Sequence, residues 1–259
     1  MQTKILSTLA FLIALTVAAR AESLEISSRR ATERKTFTDA EISAGFFRTA
    51  FGAELRIAGR SDRIRKYDVP IRVFIDNRAK PDRRRQMASV IADIGARVQH
   101  LDIAPTQNRA DANVVVTLVR DRDLAAAIAK MYGRERSRQI QRKLGPQCLS
   151  GFRKDDSFRI TQSSVILVVD AGDFIFYDCA YEELLQALGP INDTDAVPWT
   201  MFNDKVHKGF FDVYDQHLLN ILYDPRIRPG MTIEEVKTLM PDVLPEVRAW
   251  VAKANGLRR

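Results

Sequence analysis

The amino-acid sequence predicts an α+β domain, in which a mixed β-sheet is covered by helices and followed by a helical C-terminal lobe. Three observations predict it. Residues 69–75 (VPIRVFI), 113–119 (NVVVTLV) and 164–170 (SVILVVD) are short runs dense in β-branched residues. Stretches with apolar residues at helical spacing separate these runs. Beyond Gly189 only the helical period returns.

The elements follow in order. Met1 to Lys4, the apolar run Ile5 to Ala18 and Ala19-Arg20-Ala21 read as a secretory signal peptide over 1–21, with the mature chain starting near Glu22. That run is too short for a stable transmembrane anchor, and no later segment is long and apolar enough to be one. The expected location is therefore periplasmic or extracellular. Residues 22–37 are polar, charged and aperiodic, which predicts a flexible leader. Thr38-Asp39-Ala40-Glu41 is a capping box, and Ile42, Phe46, Phe47 and Phe51 follow on one helical face. A loop rich in Gly and Arg leads to the strand at 69–75, where Pro70 suggests an edge or early position. Pro81-Asp82 opens a helix carrying Met87, Val90, Ile91, Ile94 and Val98.

The run at 113–119 is nearly continuous in β-branched residues, as in a strand buried on both faces. Two basic helical stretches, about 121–132 and 134–143, end at Gly145-Pro146. A short strand at 149–153 or 158–161 precedes the strand at 164–170. A helix over about 173–188 stops at Gly189-Pro190. After a polar loop come helices at about 210–222, from the capping box Thr232-Ile233-Glu234-Glu235, and at 242–254.

Composition narrows the function. The net charge is +7, and the basic residues gather in Arg83-Arg84-Arg85, 134–143 and Arg258-Arg259. Asp and Glu interleave with them, so they read as solvated helix faces, and no groove-reading or base-stacking motif indicates nucleic acid. Cys148 and Cys179 are the only cysteines. In an oxidising compartment an isolated pair without CxxC spacing reads as a structural disulfide. There is no Gly-x-Ser-x-Gly elbow and no phosphate loop. His100, His207 and His217 have no ligand spacing to one another.

One stretch carries a chemical pattern, YEELLQALGPIND at 181–193. Its spacing is that of a zinc-protease helix, where two His four apart grip one ion, a Glu polarises the bound water, and a Gly turns the chain to a third ligand. On this frame the ligand positions hold Glu182, Gln186 and Asn192; Glu183 stands at the general base and Gly189 at the turn. Zinc sites use thiolate, imidazole and carboxylate, so this donor set argues against zinc. No cofactor is expected; if an ion binds, oxygen donors that include Asp193 suit calcium or magnesium. Equally, Glu182 and Gln186 fit an ordinary i,i+4 pair and Gly189 an ordinary C-cap.

The segments RIRKYDVPIRVFID, YEELLQALGPIND, MFND and LLNILYDPRIRPGM, with the Cys148 and Cys179 pair, resemble a secreted proteobacterial family known as domain of unknown function 2927. The resemblance covers about 38–240. It implies a fold similar to zincin proteases of the metzincin type with the histidine ligands replaced. Residues 38–259 then form a single metzincin-like domain, with a sheet lobe over about 38–189 and a helical lobe over about 190–259. Met231, after Pro229-Gly230, is the candidate for the methionine turn that lies under the metal in metzincins, with core packing as the alternative. Tyr223 and Trp199 are candidates for the cleft, or for packing and loop anchoring. The expected function is non-catalytic binding of a peptide, protein or envelope component in the cleft. The alternative is a hydrolase using Glu183 as general base without zinc or with another ion.

Overall fold

A computed structural model of the protein describes residues 23–52, 62–144, 147–190 and 192–257. The expected signal peptide, the Gly- and Arg-rich loop at 53–61 and the Gly145-Pro146 stop lie outside them. A five-stranded sheet forms the centre, with β1 (Ile71–Asn77), β2 (Ile103–Thr106), β3 (Val114–Val119), β4 (Cys148–Lys154) and β5 (Ile160–Val168) in the order β2-β1-β3-β5-β4. All neighbours are parallel except β4, which pairs antiparallel with β5 at the edge. Val116 sits opposite Val165, and Ser150 of β4 opposite the same Val165. Every residue of β3 is buried, as its unbroken β-branched run predicts.

Alternation along β5 divides the core. Val165 and Leu167 face the larger hydrophobic cluster, and Ile166 and Val168 the smaller. Helices α3 (Arg84–Arg97) and α6 (Asp173–Ala187) pack on the first face. On the second lies α4 (Asp121–Tyr132), through Leu124 and Ile128, and against it packs α5 (Arg134–Leu144). The helical lobe is built from α7 (Val213–Tyr223) and α8 (Ile233–Ala254), and α2 (Asp39–Ala50) packs against both. Tyr214 of α7 donates to the Glu41 carbonyl and passes so close to Gly45 that a Cβ there would lie 2.0 Å from its hydroxyl. Helix α2 thus packs against the helical lobe, although it lies in the stretch 38–189 expected as the sheet lobe. Lys66 links the two parts. Its ammonium donates to the carbonyls of Leu222, Asp224 and Ile227 at 2.7 to 3.2 Å, capping the end of α7.

Several expectations need correction. The segment expected as a flexible leader is folded from Ser23 onwards. Its helix α1 (Leu24–Ala31) buries Ile26, and Phe37 is buried against Tyr214 and Trp199. Glu33 accepts the Val213 amide at 2.6 Å, capping α7, while the Arg29 and Arg30 guanidinium groups lie over Phe174 and Phe210. With so few apolar residues the segment has no readable period, and the long-range contacts that hold it have no sequence signature. The two helices expected after Thr232 are one, α8, which runs through Pro241 and Pro245. Burial of Val236, Met240, Val243, Leu244 and Val247 offsets the backbone bonds those prolines cannot make. Strand β2 escaped notice because IAPT is short and contains a proline.

Candidate functional site: the acidic frame on helix α6

Helix α6 is fastened at its middle and at its C-terminal end. A Cys148–Cys179 disulfide ties it to edge strand β4, with the Cα atoms 5.9 Å apart. At its foot Gly189 has φ +143°, and a Cβ there would lie 2.4 Å from the Arg65 carbonyl oxygen. Only glycine makes this turn, so its place in the pattern has a steric cause. Helix α6 is buried along most of its length, including Leu184, Leu185 and Ala187 and the polar Asp178, Glu183 and Gln186. Polar groups in such a helix need partners, and those partners define the site.

Gln186 is held from two sides. Ser150 of β4 donates to its Oε1 at 3.2 Å, and its Nε2 donates to Asp193 Oδ1 at 2.6 Å. Carboxylate oxygens of Glu182, Asp193 and Asp204 lie within 4.8 Å of one another. Among the described residues neither Glu182 nor Asp204 has a hydrogen-bond or ion-pair partner. Burial, followed by the negative charges of Glu183, Asp193, Asp178 and Asp204, holds the Glu182 carboxyl well above its ordinary 4.5. The frame is therefore a concentration of negative charge in which the Gln186 amide donates to Asp193.

Asn192 does not belong to it. Its Nδ2 donates to the Arg48 carbonyl at 2.7 Å and its backbone amide to the Thr49 carbonyl at 3.3 Å. The open carbonyls at the C-terminal end of α2 draw it away, and Asp193 takes the third position instead. Glu183 is 7% exposed, and its charge, after burial, helps to push the Tyr132 hydroxyl up to about 12. It lies under cover and not at an open water position.

The remaining candidates lie elsewhere. Trp199 stacks under the Arg34 guanidinium at 4.3 Å and sits 6.2 Å from Phe37, which makes it an anchor for the N-terminal segment. Tyr223 is buried and donates to the Leu188 carbonyl at 2.9 Å. Met231 accepts the Arg228 amide on its sulfur at 3.3 Å, and its carbonyl accepts the Ile64 amide at 2.8 Å. Met231 and Tyr223 line a separate cavity that includes none of Glu182, Gln186 and Asp193. His217 bonds the Val213 carbonyl of its own helix, and burial pushes it down to about 4.

Sequence reasoning missed Asp178 and Asp204, and it did not connect His207 with them. Asp178 accepts the amides of Lys208 and Gly209 on Oδ1 and meets His207 Nδ1 at 2.8 Å on Oδ2, pinning the loop that carries Asp204. Asp178 stands one turn before Glu182 on α6, and that i,i+4 spacing was a usable signal. Nothing local marks Asp204, which a long polar loop delivers.

The molecule is thus a mixed α+β protein with a disulfide-fastened helix that carries an acidic frame. Over residues 39–242, from the start of α2 into α8, the chain matches the family described as Protein of unknown function (DUF2927), and it belongs to that family. No curated protein and no solved structure matches it. Among the described residues no helix is long and apolar enough to cross a membrane.

Proposed function

We propose that the protein is an exported, non-catalytic binding protein of the periplasm or cell exterior, a metzincin-like scaffold whose former metal frame receives a cationic group of a peptide, protein or envelope component. One observation carries the reading: Glu182 and Asp204 have no bonding partner among the described residues, although Asp193 holds a third carboxylate beside them. Such a group of like charges stabilises a bound cation more than it stabilises the empty fold. The Gln186–Asp193 bond at 2.6 Å supports descent from a metal frame, because it closes the helix-to-turn distance that an ion would otherwise bridge. Burial of Glu183 disfavours the hydrolase alternative, since a general base must reach the attacking water.

Titration calorimetry with the peptide acetyl-Ala-Lys-Ala-Arg-Ala-amide tests the reading. Saturable binding, weakened by salt and lost in the Glu182→Gln/Asp193→Asn/Asp204→Asn variant, is expected. Absent binding, or binding the variant retains, would remove it. A second reading rests on the same oxygens. These oxygens lie within 4.8 Å of one another, about twice a calcium–oxygen distance at most, so one hard cation would fit between Glu182, Asp193 and Asp204. Added calcium that raises the melting temperature of the native chain but not of the neutralised variant would favour the ion. The metzincin likeness has its own test: Glu182→His/Gln186→His, with Asp193 as third ligand, should gain zinc affinity. No gain would mean the frame is not a converted metal site.

A further inference from the structure

A second site lies where the chain enters the sheet. A cavity of about 790 Å3 opens between the residues preceding β1, β2 and β5 and the turn 225–231. Two independent observations single it out. His100, at φ 64°, and Phe158, at φ 65°, are the non-glycine residues of positive φ among the described residues, and both line it. Left-handed backbone costs any side chain with a Cβ and gathers where a site requires it. Val69, a large hydrophobic residue left 55% exposed, lines it too, beside Pro225 and Met231.

The formal charges at its rim balance, Lys66, Arg159 and Arg228 against Asp68, Asp102 and Glu235, but their partners differ. Each acid is already committed: Asp68 to Arg159 at 2.6 Å, Asp102 to Arg72 at 2.8 Å, and Glu235 to the Thr232 amide at 2.7 Å in the α8 capping box. The Lys66 ammonium is spent on three carbonyls. Among the described residues the Arg228 guanidinium and the His100 imidazole have no hydrogen-bond or ion-pair partner. An apolar wall under an uncommitted guanidinium fits an apolar body that ends in a carboxylate, whose two oxygens match the guanidinium fork.

We propose that this cavity binds a carboxylate borne on an apolar group, with Arg228 and His100 at the carboxylate and Val69, Phe158 and Met231 along the apolar body. Two sources share that chemistry, an acyl chain and the C-terminal apolar residue of a peptide. The probes are octanoate and N-acetylphenylalanine, with octanamide and N-acetylphenylalaninamide as uncharged counterparts. Binding is read from the Met231 resonance of the full chain labelled with 13C-methyl methionine.

At least one acid should shift Met231 saturably, with its amide about tenfold weaker. The stronger acid identifies the source. Arg228→Gln should abolish the preference for acid over amide. His100→Gly should weaken the acid several-fold while the melting temperature holds or rises, since glycine accepts this backbone freely. A silent Met231 resonance, equal affinity for acid and amide, or unchanged acid affinity in both variants would overturn the assignment.

Discussion

Two groups of acids in this protein differ in one respect. On α7 and the residue before it, Asp212 and Asp215 are fully buried, at 1% and 0% exposure. Asp215 accepts the Thr200 hydroxyl at 2.5 Å and the Met201 amide at 2.8 Å. Asp212 accepts the Asp215 amide at 2.9 Å and meets the Lys208 ammonium at 3.2 Å. On α6 and its following loops, Glu182, Asp193 and Asp204 are more open; the Gln186 amide donates to Asp193, and among the described residues Glu182 and Asp204 have no hydrogen-bond or ion-pair partner. Burial raises the carboxyl of both Asp215 and Glu182 well above its ordinary range, with neighbouring acids next in effect. A shifted carboxyl alone therefore does not mark a site. What separates the two is the supply of donors: Asp215 is met by donors of its own fold, whereas among the described residues Glu182 and Asp204 are not.

The largest effect should come from breaking the Asp215 bonds. Asp215→Ala leaves a buried hydroxyl and amide without an acceptor and should cost about 3 kcal/mol in a denaturant melt. A cost near zero would mean that the donors do not distinguish the two groups. Removing the base of the frame comes next. Cys148→Ser/Cys179→Ser frees a 31-residue connection between β4 and α6 and should cost about 3 kcal/mol, somewhat less than Asp215→Ala if β4 stays paired.

The frame itself should respond in the opposite sense. Glu182→Gln removes like-charge repulsion and should raise stability at neutral pH by on the order of 1 kcal/mol. The pH dependence follows from the raised carboxyl. The folded state holds the Glu182 proton to higher pH than the unfolded chain does, so its contribution is full below 4.5 and is lost as pH rises through the folded value. The native chain should therefore lose stability from mildly acidic to neutral pH more steeply than Glu182→Gln, and parallel curves would deny the repulsion. The smallest effect belongs to Asn192→Ala, which uncaps the end of α2 for about 1 kcal/mol or less and should leave peptide binding intact, because Asn192 lies outside the frame.

Much of the fold was legible. Period and turn chemistry are local, so β3, α6, the Thr38 and Thr232 capping boxes and the Gly189 turn could be read directly. The disulfide was legible from the isolated cysteine pair. Of the frame, Glu182, Gln186 and Gly189 came from spacing along one helix. Asn192 and Asp193 were both legible as candidate donors of the turn, and only the tertiary neighbourhood of α2 separates them. Asp204 and the docking of α1 depend on contacts far apart in sequence, which no local pattern records.

The most direct measurement follows the Glu182 carboxyl by 13C NMR, with and without the basic peptide. The account predicts a midpoint well above 4.5 in the free protein that falls when the peptide binds, while the Asp215 signal stays unmoved. A Glu182 carboxyl that titrates in the ordinary range, or one that the peptide does not lower, would contradict it.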